Sequence, residues 1–106
     1  MSNVHHIAIE DDGRLLAEAT VESQPDLVKA WLRVEAAPTP PGASSRLVDA
    51  VLDLLHVPAG TPLEMTFPAG EAEMLEQIRN RCPDVTTRVA GVSCRLQTTC
   101  PTAATP

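Results

Sequence analysis

The stretch best suited to chemistry in this chain is a run of backbone amides, Gly42-Ala43-Ser44-Ser45-Arg46, placed between a predicted strand and a predicted helix. Unpaired N–H groups at a helix N-terminus carry about half a positive charge, so a strand, a glycine loop and a capped helix in that order can hold a phosphate. Ser44 or Ser45 is the natural N-cap, and Gly42 lets a ligand approach the backbone. The same order also occurs in folds that bind nothing, where it is simply a structural unit. Among acids, Glu35 is the candidate general base because it stands late in the strand before this loop. Its alternation sets it with Lys29 and Arg33 on a polar face, where a solvated strand residue is the plainer reading, and Glu22 has the same ambiguity. His5 and His6 are adjacent, so on a strand they point to opposite faces, and no third ligand has a recognisable spacing from them. No metal site is expected. His56 falls at the end of the predicted helix, where an imidazole suits the helix dipole. Cys82, Cys94 and Cys100 are odd in number and lack CxxC spacing, which argues against a disulfide framework and against zinc. Reduced thiols follow, with Cys82 and Cys94 acting as small buried hydrophobes.

The totals narrow the classes of function. A chain of 106 residues fits one domain, and burial of roughly 60–65% of its unfolded surface is expected for that size. Trp31 and Phe67 are the only aromatic residues and tyrosine is absent, so aliphatic side chains must build the core. A net charge of −6 disfavours nucleic acid and anionic membranes, both of which need clustered Lys and Arg. No positive leader precedes an apolar run, and no apolar span approaches about 18 residues, so a cytoplasmic protein is expected.

The elements that position the loop follow from periodicity. Val4 to Glu10 and Arg14 to Glu22 alternate around Asp11-Asp12-Gly13, a hairpin signal. After the Gln24-Pro25 turn, Val28, Ala30, Leu32 and Val34 share the face opposite Lys29, Trp31, Arg33 and Glu35. Leu47, Val48, Val51, Leu52 and Leu55 then form a helical stripe, with Asp49 and Asp53 off it. Thr61 to Phe67 is a strand, and Glu71 to Cys82 a helix with Met74, Leu75, Ile78 and Cys82 as its apolar side. Glu71 and Glu73 in its first turn and Arg79 and Arg81 in its last suit its own dipole. Val85 to Leu96 reads as one last strand with a bulge or close approach at Gly91. The result is an α+β fold, a βββαβαβ mixed sheet with two helices over residues 1–97, followed by a flexible tail over 98–106. Trp31 is a large ring on a polar strand face, so either a helix covers it, which is the simpler expectation, or it forms a partner or self-association surface with Leu16 and Thr20.

This order, and the segment Gly42-Ala43-Ser44 followed by Ser45-Arg46-Leu47-Val48-Asp49-Ala50-Val51-Leu52, resembles the core of the GNAT acetyltransferase superfamily. The resemblance implies a CoA or acetyl-CoA site whose phosphates meet Gly42, Ala43, Ser44, Ser45 and Arg46. Thr39 replaces a basic residue or Gln, Ser44 replaces a Gly or Ala, and Pro40 and Pro41 lack amide donors. Members of that family also open with a strand and two helices that help to build the acceptor site, and only a few residues precede the hairpin here. Many protonate the leaving thiolate with a tyrosine on the second core helix, where this chain offers no acid beyond Glu76. The resemblance therefore implies a non-catalytic GNAT-like binding or interaction module, with a possible protein partner or homodimer. The alternatives are a minimal N-acetyltransferase completed by a partner chain, with Glu35 as base, and an interaction protein with no small-molecule ligand.

Overall fold

The computed structural model describes residues 3–35, 40–55, 60–82 and 84–99. In chain order the elements are β1 (Asn3–Asp11), β2 (Arg14–Gln24), β3 (Leu27–Val34), α1 (Ala43–Leu54), β4 (Pro62–Pro68), α2 (Ala72–Arg81), β5 (Thr86–Ala90) and β6 (Ser93–Thr99). The strands form one mixed sheet in the order β1-β2-β3-β4-β6-β5, in which β3 and β4 run parallel and every other neighbouring pair is antiparallel. The α+β class, the opening meander and both helices match the sequence reading. Asp12 and Gly13 turn the first hairpin with φ of 53° and 74°, the left-handed pair that a two-residue connection needs to follow the strand twist.

Alternation on each strand sets the core. Val21, Ala30, Met65 and Leu96 lie in one row across four strands, and Val28, Leu63 and Thr98 in another. Every one of them is buried. Onto this face α1 lays Leu47, Val48, Val51 and Leu52, and α2 lays Met74 and Ile78, all in a single apolar cluster. Helix α1 lies over β1, β2 and β3, with α2 beside it. Each fully buried aliphatic side chain contributes about 1.5–3 kcal/mol, which lets aliphatics stand in for missing aromatics. Cys82 and Cys94 are buried in the same cluster, as small hydrophobes would be.

The structure corrects three expectations. The segment read as one last strand is a hairpin, β5 and β6, turning at Gly91 and Val92, so Gly91 makes a turn and no bulge. Only β6 alternates, and all five residues of β5 are exposed, so no apolar pattern marks where the chain reverses. The tail expected from residue 98 starts too early, because Thr98 and Thr99 pair with Leu63 and Pro62 in β6 and Thr98 is buried. Cys100 and the rest of the expected tail, like His56, lie outside the described residues. Finally, the N-cap of α1 is Gly42, with φ of 87°, and neither Ser44 nor Ser45 caps the helix.

Leu47 has no solvent exposure. Leu47→Ala should lower the unfolding free energy by about 2–5 kcal/mol in urea titrations, while Arg46→Ala on the exposed side of α1 should change it by about 0.5 kcal/mol or less.

Candidate functional site

The first turn of α1 begins at a left-handed glycine, a conformation that a β-carbon would strain. The Ala43 amide donates to Pro40 O at 3.2 Å, and the Arg46 amide to Gly42 O at 2.9 Å, the first bond of the helix. No side chain of α1 caps its own N-terminus. Two carboxylates reach it instead, from Glu71 at the N-cap of α2 and Glu73 in its first turn. The Ser45 amide donates to Glu73 Oε2 at 2.9 Å, the Gly42 amide donates to Glu73 Oε1 at 3.3 Å, and the Ser44 hydroxyl donates to Glu71 Oε1 at 2.8 Å. The five residues expected to hold a ligand's phosphates are thus gathered at one helix end, with Ala43 and Ser44 buried and the Arg46 side chain exposed. The carboxylate of Glu73 already fills the position opposite the amides of Gly42 and Ser45.

The backbone hydrogen bond from Ser45 is the main cause that holds the Glu73 carboxyl below its ordinary range. Burial opposes it, and further hydrogen bonds from Gly42, Ser45 and Ser44 reinforce it. Sequence reasoning placed Glu71 and Glu73 in the field of their own helix and missed this role. An acid in a first turn has the same spacing whether it serves its own dipole or a neighbour's, so only the packing of α2 on α1 distinguishes the two. The same crossing recruits the other end of α2. Gln77 Nε2 donates to Asp49 Oδ1 at 2.7 Å, and Arg81 donates to Asp49 and Asp53 through Nη1 and Nη2, each at 3.0 Å.

A second feature opens on the sheet. The pairing of β3 with β4 covers only Val28–Trp31 against Leu63–Thr66, although the strands run on to Val34 and Pro68. A groove of about 630 Å³ begins where the pairing stops, walled by Trp31, Leu32, Phe67, Pro68 and Val92. Trp31 is 44% exposed there, and it lies in a row with His6, Thr20, Thr66 and Arg95 on the face opposite the helices. The expected helical cover is therefore absent among the described residues, since both helices bury their stripes on the other face. Thr20 lines the groove beside Trp31, but Leu16 is buried and does not.

Polar groups on this face are tied to one another. The Thr20 hydroxyl and His6 Nδ1 are 3.3 Å apart, His6 Nε2 lies 3.3 Å from Glu18 Oε2, and Arg33 pairs with the other Glu18 oxygen. Burial raises the Glu18 pKa, but hydrogen bonds from His6 and Arg33 outweigh it, leaving that carboxyl below its usual range. Arg33 Nε also holds Glu35 Oε1 at 2.9 Å. Glu35 is exposed, stands outside the groove lining and is engaged by the Arg33 guanidinium. No cluster of metal-ligating side chains occurs among the described residues.

Because the Glu73 carboxyl is depressed from 4.5, its contribution to stability is complete above that value and is lost as pH falls through the lower folded value. Urea titrations from pH 7 to pH 2.5 should show Glu73→Gln losing less stability on acidification than the wild type. Equal acid dependence of the two proteins would contradict the contact.

Neither a protein-family model nor a curated protein sequence matches the chain. Solved structures do. An N-acetyltransferase from Staphylococcus aureus Mu50 superposes with a TM-score of 0.59 at 12% identity, over 91% of this chain and 66% of that one. A protein assigned as a phosphinothricin N-acetyltransferase gives 0.62 at 12% identity, over 93% and 72%. A Salmonella typhimurium protein assigned as an acetyltransferase, solved with its cofactor acetyl-CoA, gives 0.57 at 11% identity, over 91% and 63%. The chain thus spans 63–72% of the length of these neighbours. With the strand order, the parallel β3–β4 pair and the loop before α1, these likenesses establish the fold of the chain as a GNAT-like core.

Proposed function

We propose that this chain is a non-catalytic GNAT-like binding or interaction module, with CoA or acyl-CoA as the small molecule to which its fold is related. The observation that carries this reading is the Glu73 carboxylate on the amides of Gly42 and Ser45. A CoA pyrophosphate at that helix end would meet a fixed negative charge. Like charges about 4 Å apart repel by about 4 kcal/mol near a protein surface, which is enough to cancel the attraction of one helix terminus. Two further facts support it: Glu35 is held by Arg33, and the chain has no tyrosine to protonate a leaving thiolate. CoA remains the ligand to test because one structural neighbour was solved with acetyl-CoA.

The contact surface in this reading is the helix-free sheet face around Trp31, where an indole beside an apolar groove offers an anchor for another protein or a second copy. No described helix is long and apolar enough to cross a membrane. A cytoplasmic setting suits the buried thiols Cys82 and Cys94. A second reading, an N-acetyltransferase completed by a partner chain, draws on the groove at the β3–β4 divergence, which has room for an acyl-bearing chain.

Unchanged wild-type amides from Gly42 to Arg46 at millimolar CoA would leave an interaction protein without a small-molecule ligand, and acetyl-CoA mixed with a panel of amines should release no thiol above a protein-free control. Turnover would favour the second reading. Sedimentation should show concentration-dependent association that Trp31→Ala weakens, and a strictly monomeric wild type would refute self-association through this face.

A further inference from the structure

The two outer strands of the sheet differ in what they offer a neighbour. Strand β5 is five residues long with Arg88 at its middle, whereas β1 runs for nine residues and contains no Lys, Arg or Pro. Among the described residues β1 pairs only with β2, so its outer N–H and C=O groups face away from the sheet. Lysine, proline and short length are the usual devices that protect such an edge, and β1 has none of them. A bulge between Ile9 and Glu10 ends its straight run at Ile9 and carries Glu10 and Asp11 out of line. Apolar cover is also thin at this side of the molecule. Ile7, on the helix side of β1, is half-buried, and so are Leu54 and Leu55 at the end of α1, beside a hollow of about 130 Å³ that they share with Asn3, His5, Val21 and Ser23.

We infer that β1 is a self-association edge, on which β1 of a second copy pairs antiparallel about a two-fold axis at Ile7 and joins two six-stranded sheets into one. Centred there, the pair sets Ile7 against Ile7, His6 against Ala8 and His5 against Ile9, which uses the straight run up to the bulge on both strands. Residues opposite one another in an antiparallel pair share a face, so the isoleucines of both copies stay on the helix side and His6 stays on the other. No like charges meet, each His6 imidazole lies against the methyl group of an alanine, and the two Ile7 side chains cover apolar surface that a lone β1 leaves at its edge. An axis at His6 would set imidazole against imidazole, and an axis at Ala8 would leave only Ile7 to Ile9 before the bulge. The same operation on β5 sets Arg88 against Arg88, so growth stops at two copies with a β5 at each end. The axis runs through the sheet and keeps both helix layers on one side. Both Trp31 grooves then open on the other side, and the contact leaves them free.

Cross-linking tests the register. In a Cys100→Ser background the other native thiols, Cys82 and Cys94, are buried. Under oxidised glutathione Ile7→Cys should give a disulfide-linked dimer, because residues facing each other across an antiparallel pair have Cα atoms about 4.5–5.5 Å apart. Ala8→Cys should not, since its counterpart lies on the diagonal about 7–8 Å away, beyond disulfide reach. Adding Trp31→Ala to Ile7→Cys should leave the cross-link unchanged. In sedimentation of the reduced proteins, Ile7→Lys, which sets two ammonium groups against each other at the axis, should weaken association at least tenfold. If that variant fails to fold, Ala8→Lys carries the comparison from an exposed position, where the new ammonium faces Glu18 on its own β2 and His6 of the second copy. A wild type that stays monomeric at millimolar concentration, or Ala8→Cys cross-linking as fast as Ile7→Cys, would overturn the edge. Association lost in Trp31→Ala but kept in Ile7→Lys would overturn it too and leave the sheet-face surface of the functional reading standing. Turnover of acetyl-CoA would refute the non-catalytic reading, while the Ile7→Cys cross-link would still support the edge.

Discussion

The parallel pairing of β3 with β4 is the constraint on which the rest of the molecule depends. A parallel neighbour cannot be reached by a tight turn, so the chain must leave the sheet, cross it and return. Helix α1 is that crossing, and its stripe of Leu47, Val48, Val51 and Leu52 closes the sheet face that the meander began. The pairing is short, ending at Trp31 and Thr66. Beyond it the strands part, and the groove opens there on the sheet face opposite the helices.

Around α1 the polar residues work between helices. Glu71 and Glu73 bind the first turn of α1, and Gln77 and Arg81 bind Asp49 and Asp53 along its length. Glu71, Glu73 and Arg81, which look like complements to the dipole of α2, are thus shared with, or given over to, its neighbour. An anionic cap supplied from another element stabilises a helix start by about 1 kcal/mol, much as a local cap would. It also commits the donors to an internal partner, which turns a structural contact into a constraint on ligands.

How much was legible from sequence follows from the range of the interactions involved. Asp12-Gly13 announces its hairpin because its turn needs two left-handed residues, and the stripes of both helices announce themselves because burial repeats with the helical period. The parallel return after α1 follows from the same logic. Gly91-Val92 carries no comparable signature and was absorbed into one long strand. Trp31 was legible as a residue on the polar face, but whether anything covers that face depends on which side both helices choose. In the candidate site, the location of Gly42 to Arg46 at a helix start could be read directly. The occupant could not, since Glu73 meets Ser45 only after two helices have packed against each other.

The sheet has consequences at its margin as well as at its centre. All five residues of β5 are exposed, and among the described residues the strand pairs only with β6, leaving there an edge on which another copy could grow a fibril-like ladder. Arg88 stands at the midpoint of β5. Two such edges aligned antiparallel about their centres would bring guanidinium against guanidinium, a repulsion that blunts the edge without altering the fold. A short, charged margin of this kind lets a small aliphatic protein keep an open sheet in a crowded cell.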